Sequence, residues 1–495
     1  MREVAAAFRA AAVEADWLAA VDDDGRWTAR ELLADVDRMV DALRLVAPDT
    51  PTVLVQAENS RRLLVAGLAV GTVGGTLALA AAHSTAEDIA AITSACRPDA
   101  VVGAPERLAQ WGLDVGAAAP GAVAGWQVRA ADGLAEPGRW GEGVLIGMTS
   151  GSTGRSKGVV HRESALRYAV EQEAAATGLQ PGDAVGIVVP VSAAPAFAFG
   201  VYAALVLRSA ALLSSKWSPP AALERLATHQ ARWLMCVPTQ VLQLSAAAVD
   251  RPGVLSAMRA ITVGGGPMEY RALQDAEERL GTTVLRVFGM SECLGHTTPA
   301  LDDPPQVRLG RDGRPFPGTD LRIVDGEGHV LGVGEVGRAQ VKGPSLFLGY
   351  AVDGRLAPPE LTPDGYLDSG DLMVRHPDGT VQVSGRIKDV IIRGGRNISI
   401  VEVESALLAD ERVQAACVVA VPDPVLGERV AALVVTDHPD LTLASVTQTL
   451  ARNGVAKVVW PEHLVLVDAL PTTHVGKVSR NAARRIALDA LGVSA

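Results

Sequence analysis

The chain has 495 residues, 48% of them hydrophobic and 20% charged, a balance that excludes intrinsic disorder and a length that calls for more than one hydrophobic core. Its formal net charge is −11 and no basic run stands out, which excludes a nucleic-acid backbone as the natural partner. Four scattered cysteines, Cys96, Cys236, Cys293 and Cys417, form no CxxC pair, so zinc and thioredoxin chemistry are not indicated and a reducing, cytoplasmic setting is expected.

From Met1 to Asp16 the chain carries charges where a signal peptide would be apolar, and it reads as an amphipathic helix. Leu63 to Ala82 is uncharged and long enough to raise the membrane question, but Gly67, Gly71, Gly74 and Gly75 interrupt it. The pattern predicts a short buried helix, a Gly-Gly turn and a buried strand over Thr76 to Ala80, with no membrane span. Val53-Leu54-Val55, Ala100-Val101-Val102, Val185 to Val189 and Leu234 to Val237 read as buried strands, with helical patterns such as Ala221 to His229 and Arg271 to Leu280 among them. Such alternation predicts an α/β fold with parallel sheets. From Arg322 to Lys342 strands alternate with glycine turns, which predicts a β-rich subdomain. Beyond Ser384 a separate small pattern begins: helix Glu402 to Leu408, strands Ala415 to Val421 and Ala431 to Val435, helix Leu443 to Arg452, strand Leu464 to Val467, and a closing helix Arg480 to Leu491. The expected organisation is therefore a large domain over 1–384, made of layered α/β subdomains plus the β-rich one, and a small α+β domain over 385–495.

The strongest local signal is Thr149-Ser150-Gly151-Ser152-Thr153-Gly154-Arg155-Ser156-Lys157-Gly158, which follows the strand-like Val144-Leu145-Ile146. Small hydroxyl residues mixed with glycines let the backbone wrap an anion, with N–H and O–H groups donating to phosphate oxygens and Lys157 adding charge. A Walker A loop would place Lys directly after the second Gly, and here Arg155 and Ser156 intervene, so this is a phosphate loop of another type.

The loop resembles the phosphate-binding signature of the adenylate-forming superfamily: acyl-CoA synthetases, stand-alone adenylation domains and luciferases. Other motifs of that family follow in order. Gly264-Gly265-Gly266-Pro267-Met268 resembles its adenine-contacting turn. Phe288-Gly289-Met290-Ser291-Glu292 resembles the segment whose hydroxyl meets phosphate and whose Glu holds magnesium. Tyr366-Leu367-Asp368-Ser369-Gly370-Asp371 is similar to the segment whose last Asp binds the ribose hydroxyls. Gly385-Arg386-Ile387-Lys388-Asp389 is similar to the hinge, with Arg386 on ribose or phosphate and Lys388 at the hinge position. Pro471 to Lys477 is similar to the C-terminal loop that carries the catalytic lysine, here Lys477.

The resemblance implies two half-reactions, with ATP and Mg2+ as cofactors. An acid first becomes an acyl-adenylate, with Lys477, Glu292 and Ser291 in catalytic roles. The small domain, mobile about Lys388, then rotates so that a thiol, of CoA or of a carrier protein's phosphopantetheine, takes the acyl group. Gly394-Gly395 would leave a narrow passage for that arm, and Arg393 or Arg396 would meet a CoA phosphate or an acidic carrier helix.

Amino-acid-activating relatives carry a Phe-Asp pair that meets the α-ammonium, and the stretch Pro190 to Phe199 has no acid. The His-Asn pair of some hydroxybenzoate-activating relatives is missing as well. Small side chains predict a roomy apolar pocket lined by Ala194, Phe199, Gly265, Met290 and Gly295, with His296 placed for a polar substituent. An aryl or bulky cyclic acid is the first expectation. A medium-chain fatty acid, or a stand-alone enzyme loading an acyl carrier protein, is the alternative. Ser291 stands where threonine is commoner and keeps the hydroxyl, while Ile400 replaces a frequent proline.

Overall fold

The computed structural model describes residues 1–47, 49–121, 123–149, 157–266, 268–394, 396–472 and 478–493. The chain divides into two compact units, the first from residues 1–265, 273–320 and 341–367, the second from 266–272, 321–340 and 368–495.

Among the described residues the first unit carries a nine-stranded and an eight-stranded sheet. In the nine-stranded sheet Ala211–Leu213, Val185–Ile187, Trp233–Cys236, Ala260–Gly264 and Thr283–Met290 run parallel side by side. Cys293–Thr298 then returns antiparallel beside Thr283–Met290. In the other sheet Thr52–Ala57 and Thr76–Ala81 pair in parallel and are buried along their whole length, which is why both read as unbroken apolar runs. Gly143–Thr149 lies parallel to the second of these and antiparallel to Lys157–Arg162, and Gly349–Val352 adds to the far side.

Helix starts follow local chemistry. Ala29–Val46 begins at Thr28, whose hydroxyl and Glu31 form a reciprocal capping box. The uncharged stretch that raised the membrane question is the buried helix Arg61–Thr72, a turn through Gly74 at φ +71, and the strand Thr76–Ala81. Among the described residues no helix is long and apolar enough to cross a membrane.

Two features differ from the sequence pattern. The strand expected over Val185 to Val189 ends at Ile187, because side-chain amides take the next carbonyls: Asn59 donates to Ile187 and Val189, and Gln240 to Val188. Between the short helical turns Ala194–Ala196 and Ala203–Val206 the chain widens into a π-helical turn, Phe197–Tyr202, with all six residues buried.

The second unit is built on a four-stranded sheet (Asp320–Val324, Val336–Lys342, Leu367–Arg375, Val381–Arg386) and a five-stranded one. The five-stranded sheet centres on Ala415–Asp423 and Gly427–Val435. Alternation splits its residues cleanly. Val418, Val430, Ala432 and Val434 pack on Val403, Leu407, Val446 and Leu450, while Cys417, Val419, Ala431 and Leu433 pack on Ala483, Ala487 and Leu488 of the last helix. All four cysteines are buried and free.

Candidate active site

Two hairpins of the first unit bring its chemistry to the ends of strands. Thr149 and Lys157 face each other as the last register pair of an antiparallel ladder, and the Thr149 hydroxyl lies 3.4 Å from the Lys157 carbonyl oxygen. The residues expected to cradle phosphate between them, Ser150, Gly151, Ser152, Thr153 and Gly154, lie outside the described residues. The exposed Lys157 ammonium stands 5.1 Å over the Tyr350 ring, a cation–π distance.

Ser291 and Glu292 form the two-residue turn between Thr283–Met290 and Cys293–Thr298, with Met290 paired to Cys293. Three contacts fix this turn. The Tyr350 hydroxyl donates to Glu292 Oε1 at 3.0 Å, the Phe347 N–H donates to the Glu292 carbonyl at 2.8 Å, and His161 Nε2 meets the Ser291 carbonyl at 2.7 Å. A carbonyl only accepts, so His161 carries its proton on Nε2. Burial pushes this imidazole down to about 4, so it stays neutral. Burial and the Glu292 charge push the Tyr350 phenol up, so it stays a donor. The result is a chain, Lys157 to Tyr350 to Glu292, that joins the end of the phosphate loop to the expected metal ligand. One carboxylate with a free oxygen fits magnesium, which keeps most of its shell for water and substrate phosphates. Sequence reasoning missed both Tyr350 and His161. The signal for His161 was a lone imidazole directly after Val159-Val160 in a strand, where a buried polar ring needs a partner.

The glycine turn sits at the end of a parallel strand. Gly264 closes Ala260–Gly264, and a Cβ there would fall 2.6 Å from Val287 Cγ1 and 2.7 Å from its carbonyl oxygen. Gly265 holds φ +85, and Gly265 and Gly266 are exposed. Phe288 is half-buried, Gly289 exposed and Met290 half-buried at the neighbouring strand end.

On the acid side the expected room is filled. Ala194 is fully buried and so close to Gly147 that a Cβ on Gly147 would lie 2.5 Å from its methyl group. Phe199 is 1% exposed, and its ring leans on Gly295, where a Cβ would fall 2.6 Å from Phe199 Cζ. His296 is fully buried with its ring edge-on to Phe288 at 4.8 Å. Its Nδ1 lies 3.2 Å from the Cys293 carbonyl, which leaves Nε2 a buried acceptor without a protein partner. Burial holds this imidazole at about 4, also neutral.

In the second unit Asp371 and Arg386 are register partners in an antiparallel pair, and Arg386 Nε donates to Asp371 Oδ1 at 2.9 Å. Burial raises the Asp371 carboxyl, and the Arg386 charge opposes that shift. Lys388 is exposed in the turn that follows. Arg393 is bound to Glu462 at 3.0 Å and to the Val458 carbonyl, whereas Arg396 is exposed. Lys477 lies outside the described residues.

The model of a family described as AMP-binding enzyme matches residues 7–351, and that of the AMP-binding enzyme C-terminal domain matches 402–477. A medium-chain fatty-acid–CoA ligase of Escherichia coli is 32% identical over 334 residues, 67% of this chain and 59% of that protein. A salicyl-AMP ligase / salicyl-S-ArCP synthetase of Mycobacterium tuberculosis is 32% identical over 350 residues, 70% of this chain and 62% of that one. The matched part thus spans about three fifths of these curated relatives' length. The crystal structure of ATP-bound MatB from Rhodopseudomonas palustris superposes with a TM-score of 0.81 at 26% identity, covering 95% of each chain.

Proposed function

The chain belongs to the AMP-binding enzyme family, and from that premise we propose that it activates a carboxylic acid with ATP and passes the acyl group to a thiol. The carrying observation is the linked set Lys157, Tyr350 and Glu292 at neighbouring strand ends, which supplies a cation beside the phosphate loop and an oriented carboxylate for a metal. In this reading an acid oxygen attacks the α-phosphorus and pyrophosphate leaves. Residues 149–154 with Lys157 bind the departing phosphates, and Ser291 donates its hydroxyl to a phosphate oxygen. Glu292 would hold Mg2+, which offsets phosphate charge. Gly264, Gly265, Gly266, Phe288, Gly289 and Met290 border the adenine, Asp371 accepts from the ribose hydroxyls, and Arg386 binds ribose or phosphate. Lys477 stabilises charge as the adenylate forms.

The functional division we propose is a large domain over 1–384 and a small one over 385–495 that moves about Lys388. The thiol is that of CoA, with a carrier-protein phosphopantetheine as the alternative, and Arg396 is the better-placed phosphate contact because Arg393 is already engaged by Glu462. The acid is aryl or bulky and cyclic, with a medium-chain fatty acid second. Phe199, Gly295 and His296 form its walls, with Ala194, Gly265 and Met290 beside them. The salicyl-AMP ligase and medium-chain ligase names among the relatives support these two classes.

Acid-dependent ATP–pyrophosphate exchange over aryl, cyclic, fatty and amino acids tests this reading. Exchange with an aryl or cyclic class is expected, and none with any acid would overturn it. Lys388→Pro should leave exchange intact and cripple thioester formation, because proline fixes φ; equal loss of both would remove the hinge assignment.

A further inference from the structure

The acid side holds a polar group that the adenylation chemistry does not use. Glu173 lies on the helix Glu163–Thr177 and is 1% exposed. The Trp233 indole N–H donates to Thr262 Oγ1 at 2.9 Å, and Thr262 lies 2.6 Å from Glu173 Oε1. An indole N–H only donates, so the one threonine proton goes to the carboxyl and the direction of the chain is fixed. It ends at Glu173 Oε2, which is buried and has no protein partner. Burial pushes this carboxyl up to about 7.

The crevice beside Glu173 is otherwise apolar, walled by Val170, Leu179, Leu207, Trp233 and Phe199. Phe199 is the link to the reaction centre, because its ring also rests on Gly295, three residues after Glu292. Where Phe199 stands, the crevice is closed; a ring that moved would open a path from Gly295 to the free carboxyl oxygen.

We propose that Glu173 reads a hydrogen-bond donor, a hydroxyl or an amine, carried by the acid at the end remote from its carboxylate, and that Phe199 yields to admit it. The inference rests on the adenylation reading above and narrows its substrate class. A buried acceptor in an apolar wall discriminates through the cost of leaving it unpaired: an acid without the donor strands Oε2, and one with it completes the chain.

The test uses matched pairs, benzoate against para-hydroxybenzoate and para-aminobenzoate, and a naphthoate against its distal hydroxy derivative. In pyrophosphate exchange the donor-bearing member should win by at least about tenfold in kcat/KM, through KM. In Glu173→Gln, which keeps the shape and the Thr262 contact but replaces Oε2 by an NH2 group, that ratio should collapse. An unchanged ratio in the variant would make Glu173 a structural carboxyl and overturn the proposal. If the variant does not fold, wild-type parity across every pair overturns it as well. Calorimetric binding of the same acids separates the two readings. Glu173-dependent binding without exchange would remove adenylation and keep this inference, whereas exchange with no donor preference would do the reverse.

Discussion

The strand ends that carry Thr149, Lys157, Ser291 and Glu292 and the floor beneath them at Phe199, His296 and Glu173 are built on opposite terms. At the strand ends the working groups are at least partly accessible and each is aimed by a buried partner, Ser291 by His161 and Glu292 by Tyr350. At the floor the polar groups are fully sealed, and two of them, His296 Nε2 and Glu173 Oε2, lack a protein partner. The difference teaches where constancy and choice reside. A nucleotide is the same for every acid, so its side can be fixed in advance, whereas unpaired atoms behind a movable ring leave the other side to be completed by the ligand.

The sharpest break of this contrast is Glu292→Gln. It should lower exchange by about 10²–10³ with every acid alike and raise the Mg2+ concentration needed, measured by exchange at varied magnesium. Tyr350→Phe removes one hydrogen bond to a charged group and should cost about tenfold, again with every acid alike. If either loss depended on the acid, the two sides would not be separate. Gly295→Ala acts on the floor. At φ +37, with a Cβ 2.6 Å from Phe199 Cζ, it should displace the ring and change relative kcat/KM among bulky acids severalfold while the KM for ATP holds.

The smallest effect is on stability against pH. His161 and His296 are held at about 4 against 6.5 unfolded, so the stability they contribute is present above pH 6.5 and is lost as pH falls toward 4. Glu173 is raised from 4.5 to about 7, so its contribution is full below pH 4.5 and is lost as pH rises through 7. Glu173→Gln should therefore flatten the alkaline side by at most about 1.4 kcal/mol per pH unit, read by calorimetry of both proteins between pH 5 and 8.

The sequence shows the strand ends better than the floor. Glycines and hydroxyls at fixed offsets mark the loop after Thr149 and the turn at Gly264, because backbone wrapping admits few residue types. The helices Leu443–Arg452 and Arg480–Leu491 stand where their apolar spacing puts them. Small residues near Ala194 suggested space, but Ala194 packs against Gly147 and the Phe199 ring takes up the rest. Glu173 looks like any polar residue on a helix, and its burial comes from Thr262 and Trp233, about ninety and sixty positions away, which no local pattern reports.

The widened turn Phe197–Tyr202 has one more consequence. Each residue of a regular helix advances about 100° around the axis, and a π turn accommodates an extra one. Removing a single residue between Phe197 and Tyr202 would restore regular winding and swing whatever follows by that angle, so the ring that now closes the crevice would face elsewhere. For this fold a one-codon deletion is a larger step in acid choice than most exchanges of one side chain for another, and libraries that vary length at this turn would search a space that point mutagenesis does not reach.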